Sequence, residues 1–256
     1  MNTSEKNTLA LLIQLYEYDV AYQFASKVAQ TPKELLDELY VLKERLELNI
    51  EPALKSGQVM NQGAAEEQIA NYLLDLEAKL KKGQIIDFVR AVSPIIYRLF
   101  MRLLSSKVPD IKTYILDNKD DRYDVWKREV LAQSSHPVLR DFKTGPGVTS
   151  SSLARLILLL DFSEPIKDAV ANLRELERSV RNPLAHLIRP FDEEELRRTT
   201  NFSSQTFLKK LVELARLTGI EYSRPFYFDQ LNQQLLSSYQ LSESTLPILN
   251  KPPRSE

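Results

Sequence analysis

The chain has 256 residues, 43% of them hydrophobic and 27% charged, an ordinary globular composition with length enough for one large domain or two small ones. A net charge of −1 gives no global pull toward nucleic acid or acidic membranes, so any anion site must be a local cluster. The absence of cysteine excludes disulfides and thiolate metal sites and fits a cytoplasmic protein, and six glycines are too few for a glycine-rich phosphate loop or a many-turned β fold.

In chain order, MNTSEKNTLALLIQLYEYDV holds an apolar run interrupted by Gln14, Glu17 and Asp19, which is neither a signal peptide nor a membrane span. Leu9, Leu12, Ile13, Tyr16, Val20 and Phe24 recur at three- and four-residue steps and predict one amphipathic helix. Thr31-Pro32-Lys33-Glu34 reads as a capping box with proline at the first helical position, opening a second helix with Leu35, Leu39, Leu42 and Leu46. The polar stretch KSGQVMNQGAAEEQ leads to a third through Ile69, Leu73, Leu76 and Leu80. Lys79, Lys81 and Lys82 form its charged end. These helices predict a small N-terminal helical domain over residues 1–83.

From Gln84, IIDFVRAVSPIIYRLFMRLL predicts a longer apolar helix that Pro94 should kink or start late. Residues 106–150, punctuated by proline, glycine and serine, read as broken helices and an exposed loop, with a short strand pair around Tyr114–Leu116 as an alternative. There Asp117, Asp120, Asp121 and Asp124 imitate a calcium loop in composition but lack its glycine turn and closing glutamate, and read as a solvated acidic loop. Trp126 reads as core and His136 as a surface residue. Leu153–Leu160 predicts a central core helix, and Pro165–Arg181 an amphipathic one with Ile166, Val170, Leu173, Leu176 and Val180 inward. Asp192 to Glu195 open a capped helix, and Ser204–Thr218 closes on Gly219. The predicted fold is all-α: a helical bundle over residues 84–256 behind the small helical domain.

One stretch, ERSVRNPLAHLIRP, carries chemistry. Arg174, Arg178 and Arg181 fall at i, i+4 and i+7 and line one side of their helix. Pro183 predicts a break at Asn182-Pro183, which would let Arg181 and His186 converge although a straight helix holds positions five apart roughly 140° from each other. Arginine, asparagine and histidine without a metal set suit phosphodiester chemistry on RNA. A guanidinium clamps the scissile phosphate and balances its growing charge. An imidazole exchanges protons near neutral pH, and an asparagine orients either partner. The bland reading makes Glu177–Arg181 a surface salt bridge and His186 a core histidine, and arginine–histidine spacings of this kind recur by chance.

The full run Arg181-Asn182-Pro183-Leu184-Ala185-His186 resembles the Arg-Asn-x-x-Ala-His signature of HEPN ribonucleases (higher eukaryote and prokaryote nucleotide-binding domains). The helix order around it and the aromatic tail Phe226-Tyr227-Phe228-Asp229-Gln230 resemble the Csm-type accessory RNases of type III-A CRISPR-Cas systems. The resemblance implies a metal-independent endoribonuclease of antiviral defence that cleaves single-stranded RNA through the 2′-hydroxyl to a cyclic phosphate, works as a homodimer, and needs no cofactor and no membrane. Arg181, Asn182 and His186 are then catalytic, with Arg174 and Arg178 as RNA-binding residues. Such proteins normally begin with a CARF sensor domain, and no βαβ pattern supplies one here, so cyclic oligoadenylate is expected to act only through a CARF domain absent from this chain. The competing readings are a HEPN toxin of a toxin–antitoxin pair and a catalytically silent helical dimerisation module.

Overall fold

A computed structural model describes residues 1–116, 124–186 and 191–241, without the side chains of residues 181–186. Asp117, Asp120 and Asp121 of the acidic loop lie outside the described residues. The chain begins with α1 (Thr3–Gln14), α2 (Tyr18–Lys27), α3 (Lys33–Leu46) and α4 (Glu51–Ser56), then α5 (Ala64–Lys81) and the long α6 (Ile85–Lys107). A 3-10 turn (Ile111–Tyr114) leads into β1 (Ile115–Leu116) and β2 (Val125–Trp126), followed by the short α7 (Arg128–Ala132) and α8 (Pro137–Arg140). The remainder is α9 (Ser150–Leu159), α10 (Glu164–His186), α11 (Glu193–Thr200), α12 (Ser204–Leu217) and α13 (Tyr227–Ser238). The fold is all-α, as predicted, and the alternative strand pair does form, antiparallel with Ile115 opposite Trp126.

The chain folds as two units, residues 1–59 with 223–256, and residues 60–222. Chain order is not spatial order in these units: α5 packs on α6 and α12, while α13 returns to α1.

In the first unit the single expected N-terminal helix is two. Tyr16 adopts a left-handed conformation (φ 57°) between α1 and α2, which frees its ring to turn inward. The Tyr16 hydroxyl donates to Asp229 Oδ1 at 2.5 Å, and the buried Tyr18 hydroxyl donates to Asn232 Oδ1 at 2.8 Å. Asn232 in turn donates to the Ile13 carbonyl at 3.0 Å, so every polar group of this buried chain has a partner. Burial, and then the neighbouring Tyr16, push Tyr18 well above the ordinary tyrosine range and keep it a proton donor. The fully buried Arg45 guanidinium lies 5.2 Å from the Tyr227 ring centroid. The expected capping box at Thr31 does not form: Pro32 occupies the N-cap of α3, and the Thr31 hydroxyl donates back to the carbonyls of Ala25 and Val28 at the end of α2. Proline fixes the entry to α3, so the threonine is left to close the helix before it.

The second unit is a bundle in which α6 touches α5, α9, α10 and α12, and α10 touches α6, α9, α11 and α12. Phe88, Val92, Ile96, Leu99 and Leu103 form the buried stripe of α6, with the Phe88 ring edge-on to Phe207 of α12 at 5.8 Å. Pro94 neither delays the helix nor ends it, since α6 begins nine positions earlier, at Ile85. Proline leaves the Arg90 carbonyl without its helical donor, and the Tyr72 hydroxyl donates to the adjacent Ala91 carbonyl at 2.8 Å. Arg102 ties three helices together, donating to Glu66 of α5 at 2.8 Å and to the Thr218 carbonyl at the end of α12, also at 2.8 Å. Gly219 (φ 81°) closes α12 as predicted, with the Ile220 amide donating back to Ala215 at 3.1 Å. Trp126 is core, packed edge-on against Phe142 at 5.8 Å and donating to Ser152 Oγ at 3.1 Å.

The largest correction concerns α10. The helix runs without interruption from Glu164 to His186, straight through Asn182-Pro183, where a break was expected. Proline's φ is itself helical, so its cost is one missing N–H and a crowded carbonyl four residues back. A helix whose Val170, Leu173, Leu176 and Val180 are all buried bears that local cost.

Two stability predictions follow from these packing arrangements. Pro183→Ala should stabilise the chain by up to about 3 kcal/mol in urea unfolding, the helix-interior difference between the two residues, and keep its helical circular dichroism; destabilisation would mean that the chain turns at Pro183. Tyr18→Phe, which strands the Asn232 oxygen, should cost about 1–3 kcal/mol in the same assay.

Candidate active site

The motif occupies the C-terminal turns of α10, and the elements that hold it there are α6, α9, α11 and α12. Val170, Leu173, Leu176 and Val180 are 0–2% exposed and face this bundle, while Ile166 is half-buried. The buried stripe fixes the rotation of the whole helix, and with it the register of every position up to His186.

Register places the candidate residues as follows. Positions 174 and 181 lie about 20° apart around an α-helix, beside the buried stripe, whereas 186 falls about 20° from exposed Glu175, away from it. Arg181 and His186 are five residues apart on one continuous helix, so their positions are separated by roughly 140° and about 7.5 Å along the axis. The backbone therefore brings Arg181 and Asn182 next to each other and does not bring Arg181 and His186 onto one face. The convergence expected from a helix break is absent, because there is no break. The side chains of Arg181, Asn182 and His186 lie outside the described residues.

Of the two remaining arginines, Arg178 is exposed, as an anion-binding residue requires. Arg174 is committed: its Nη1 donates to Glu177 Oε2 at 3.2 Å, with 25% of the Arg174 side chain exposed against 2% for Glu177. Glu177 is thus not part of a surface salt bridge. It is a carboxylate buried in the bundle, one turn before the motif. The sequence held the signal for this, since position 177 follows Val170 by seven and Leu173 by four and belongs to the apolar stripe. The eye passes over it because glutamate is so seldom fully buried.

The other candidates settle into structural roles. His136 is half-buried; its amide donates to Ser134 Oγ at 3.2 Å, and its Nδ1 is a buried atom without a hydrogen-bond partner among the described residues. Asp124 accepts a hydrogen bond from Tyr97 at 2.8 Å, and Lys79 pairs with Asp75 within α5. Among the described residues, no group of three or more His, Asp or Glu could hold a metal ion, and no helix is long and apolar enough to cross a membrane.

Comparison with known proteins bears on this arrangement. The chain resembles the structure of Enterococcus italicus Csm6 bound to cyclic hexa-2′-fluoro-hexa-dAMP, with a TM-score of 0.70 at 15% identity. That likeness covers 91% of this chain and 56% of the Enterococcus chain, so the present chain spans little more than half of its relative's length. No curated protein sequence matches it. The family profile described as the Cas_Csm6 HEPN domain matches residues 58–236, a span that contains α10 and the whole Arg-Asn-x-x-Ala-His run. An all-α bundle with this signature near the end of a central helix, matched over most of its length by that profile, belongs to the Cas_Csm6 HEPN domain family.

Proposed function

We propose that this chain is a metal-independent endoribonuclease of CRISPR-associated defence, acting on single-stranded RNA. The observation that carries the reading is the intact run Arg181 to His186 on α10, inside the span that matches the Cas_Csm6 HEPN domain. The family match favours a CRISPR-associated role over a toxin role.

In this mechanism His186 takes the proton from the 2′-hydroxyl, and the freed oxygen attacks the adjacent phosphorus. The bond from phosphorus to the 5′-oxygen breaks, leaving a 2′,3′-cyclic phosphate, and the departing oxygen gains a proton. Arg181 neutralises the charge that builds on the phosphate oxygens, and Asn182 orients the reacting groups. Arg178, exposed one turn earlier, contacts a flanking phosphate. Arg174, one turn earlier again, gives part of its fork to Glu177. A cyclic oligoadenylate of the kind bound by the Enterococcus protein acts on this chain only through a sensor domain.

The reaction needs a base and an acid, and each chain offers one histidine at the motif. Because α10 is continuous through Pro183, the Arg181 and His186 positions of one helix diverge by roughly 140°. A two-fold axis past the end of α10 supplies the second histidine and arginine without new sequence, so the active form is read as a symmetric homodimer with a composite site.

Cleavage of single-stranded RNA should persist in excess EDTA and stop when the attacking 2′-hydroxyl is replaced by hydrogen; activity lost to EDTA and restored by magnesium or manganese would overturn the mechanism. Arg181→Ala and His186→Ala should each remove most activity while shifting stability by only about 0.5 kcal/mol, as for partly open surface positions. When the two inactive variants are mixed and allowed to exchange, heterodimers should regain measurable cleavage. Active monomers with a rate per molecule independent of protein concentration would rule the composite site out.

A further inference from the structure

We propose that the first turn of α9 and the loop before it form a phosphate-binding subsite, which holds the backbone of single-stranded RNA beside α10. The inference rests on the ribonuclease reading above and adds to it a site outside the Arg-Asn-x-x-Ala-His run.

The loop is held at several points. Arg155, on the second turn of α9, donates from Nη2 to the Lys143 carbonyl at 3.0 Å, and its guanidinium lies 5.8 Å from the Phe142 ring centroid. The Trp126 amide donates to the Pro146 carbonyl and the Val148 amide to the Asp124 carbonyl, each at 2.7 Å, so β2 grips the loop along a short bridge at Gly147. Thr149 and Ser152 then cap α9 reciprocally. Thr149 Oγ1 accepts from the Ser152 amide at 3.2 Å, and Ser152 Oγ accepts from the Thr149 amide at 2.9 Å. The Trp126 indole donates to the same Ser152 oxygen at 3.1 Å, which ties the cap to the core.

What this cap leaves over is a set of donors. The amides of Ser150 and Ser151 have no acceptor among the described residues. Ser150 is only 7% exposed, yet its hydroxyl has no hydrogen-bond partner among them either. Side chains tilt toward the N-terminus of their helix, so this hydroxyl stands at the open end of the turn with the two amides. A buried hydroxyl without a partner is costly, and a bound acceptor removes that cost. The first turn of α9 holds no acidic residue, whereas those of α5, α6, α10 and α11 do, and the Ser204 amide of α12 donates to Glu193. The positive end of α9 therefore lacks the carboxylate that serves its neighbours. Lys143 and Arg155 are exposed beside it, and neither forms an ion pair with a described residue. Amides, a hydroxyl and two cations make a donor set for a phosphate, with nothing in it to hold a cation.

Topology relates the subsite to the motif. α9 and α10 are joined by residues 160–163 and pack against each other, so they run antiparallel. At about 1.5 Å per residue, the start of α9 lies roughly 15 Å from this connection, level with Arg174 and about 10 Å short of position 181. The exposed Arg178 falls between the two levels. A strand held at α9 thus reaches the motif within a few nucleotides, along a path that starts and continues on cations.

The test uses the full chain and a 2′-O-methyl oligonucleotide, which cannot be cleaved by 2′-hydroxyl attack. Lys143→Ala should weaken its binding about tenfold and lower the slope of log affinity against log salt by about 0.7, the share of one phosphate contact on a single strand. Ser151→Glu puts a carboxylate in the first turn of α9, where it favours the helix and repels phosphate. Its melting temperature should hold or rise while binding falls by a similar factor. On cleavable RNA both variants should raise KM and leave kcat unchanged. Unchanged binding in either variant, or a parent chain that binds no oligonucleotide, overturns the subsite. In nitrogen-15 spectra of the parent protein, the Ser150 and Ser151 amide signals should move as the oligonucleotide is added. Signals that answer to inorganic phosphate alone would make this a site for the free anion and overturn its assignment to RNA. A parent chain that binds the oligonucleotide through these residues but cleaves no RNA overturns the ribonuclease reading and leaves the subsite standing.

Discussion

The second unit depends on the burial of one stripe, Val170, Leu173, Leu176 and Val180, against α6, α9 and α12. Each of these side chains contributes about 1.5–3 kcal/mol on leaving water, so together they fix where α10 lies and how it is rotated. A helix rotated by one residue would turn the stripe by about 100° and expose it. The same constraint sets the register of the RNPLAH turns, which have no other means of knowing which way to face. It also keeps the helix continuous through Pro183, as the buried stripe of α6 does through Pro94. In both helices the penalty of proline is local and the apolar contacts are spread over several turns.

The first unit is built differently. Its C-terminal helix α13 is held to α1 by a short buried chain of polar groups, Tyr16 to Asp229 and Tyr18 to Asn232 to the Ile13 carbonyl. Aromatic rings surround them, with Tyr18 and Phe228 edge-on at 5.5 Å. Polar networks of this kind specify one arrangement because every member must find its partner, and a mismatched docking strands several groups at once. Tyr239 extends the pattern at the far end of α13, where burial and the hydrogen bond to Glu38 push it up to about 12. The aromatic tail that resembles a family feature is therefore also the device by which the chain's end finds its beginning.

A buried glutamate lies one turn before the motif. The bundle pays for Glu177 with desolvation and gains a fixed negative charge at a defined height on α10. The described partner of Glu177 is Arg174, whose Nη1 donates to Oε2 at 3.2 Å on the same helix. The proposed homodimer follows from the continuity of α10, which keeps the Arg181 and His186 positions of one chain on different sides of the helix.

Much of this was legible in the sequence, and the reasons for the rest are specific. Apolar periodicity determined the helical class, and it located α5, α6, α9, α10 and α12, because a stripe with a 3.6-residue period buries itself in only one way. Local chemistry determined caps such as Asp192, whose carboxylate accepts from the Glu195 amide at 3.0 Å, and the Gly219 close of α12. The family signature needed only the order of six residues. Tertiary structure decided what local rules leave balanced. It carried α10 through a proline that local rules would make a boundary, because those rules weigh one hydrogen bond and the bundle weighs four buried side chains. It split the first helix at Tyr16, whose left-handed backbone is unfavourable alone and is compensated by Asp229, more than two hundred residues away. It placed Glu177 inside, against the habit of its residue type. In each case the deciding partner is distant in sequence, and only the folded chain brings it near.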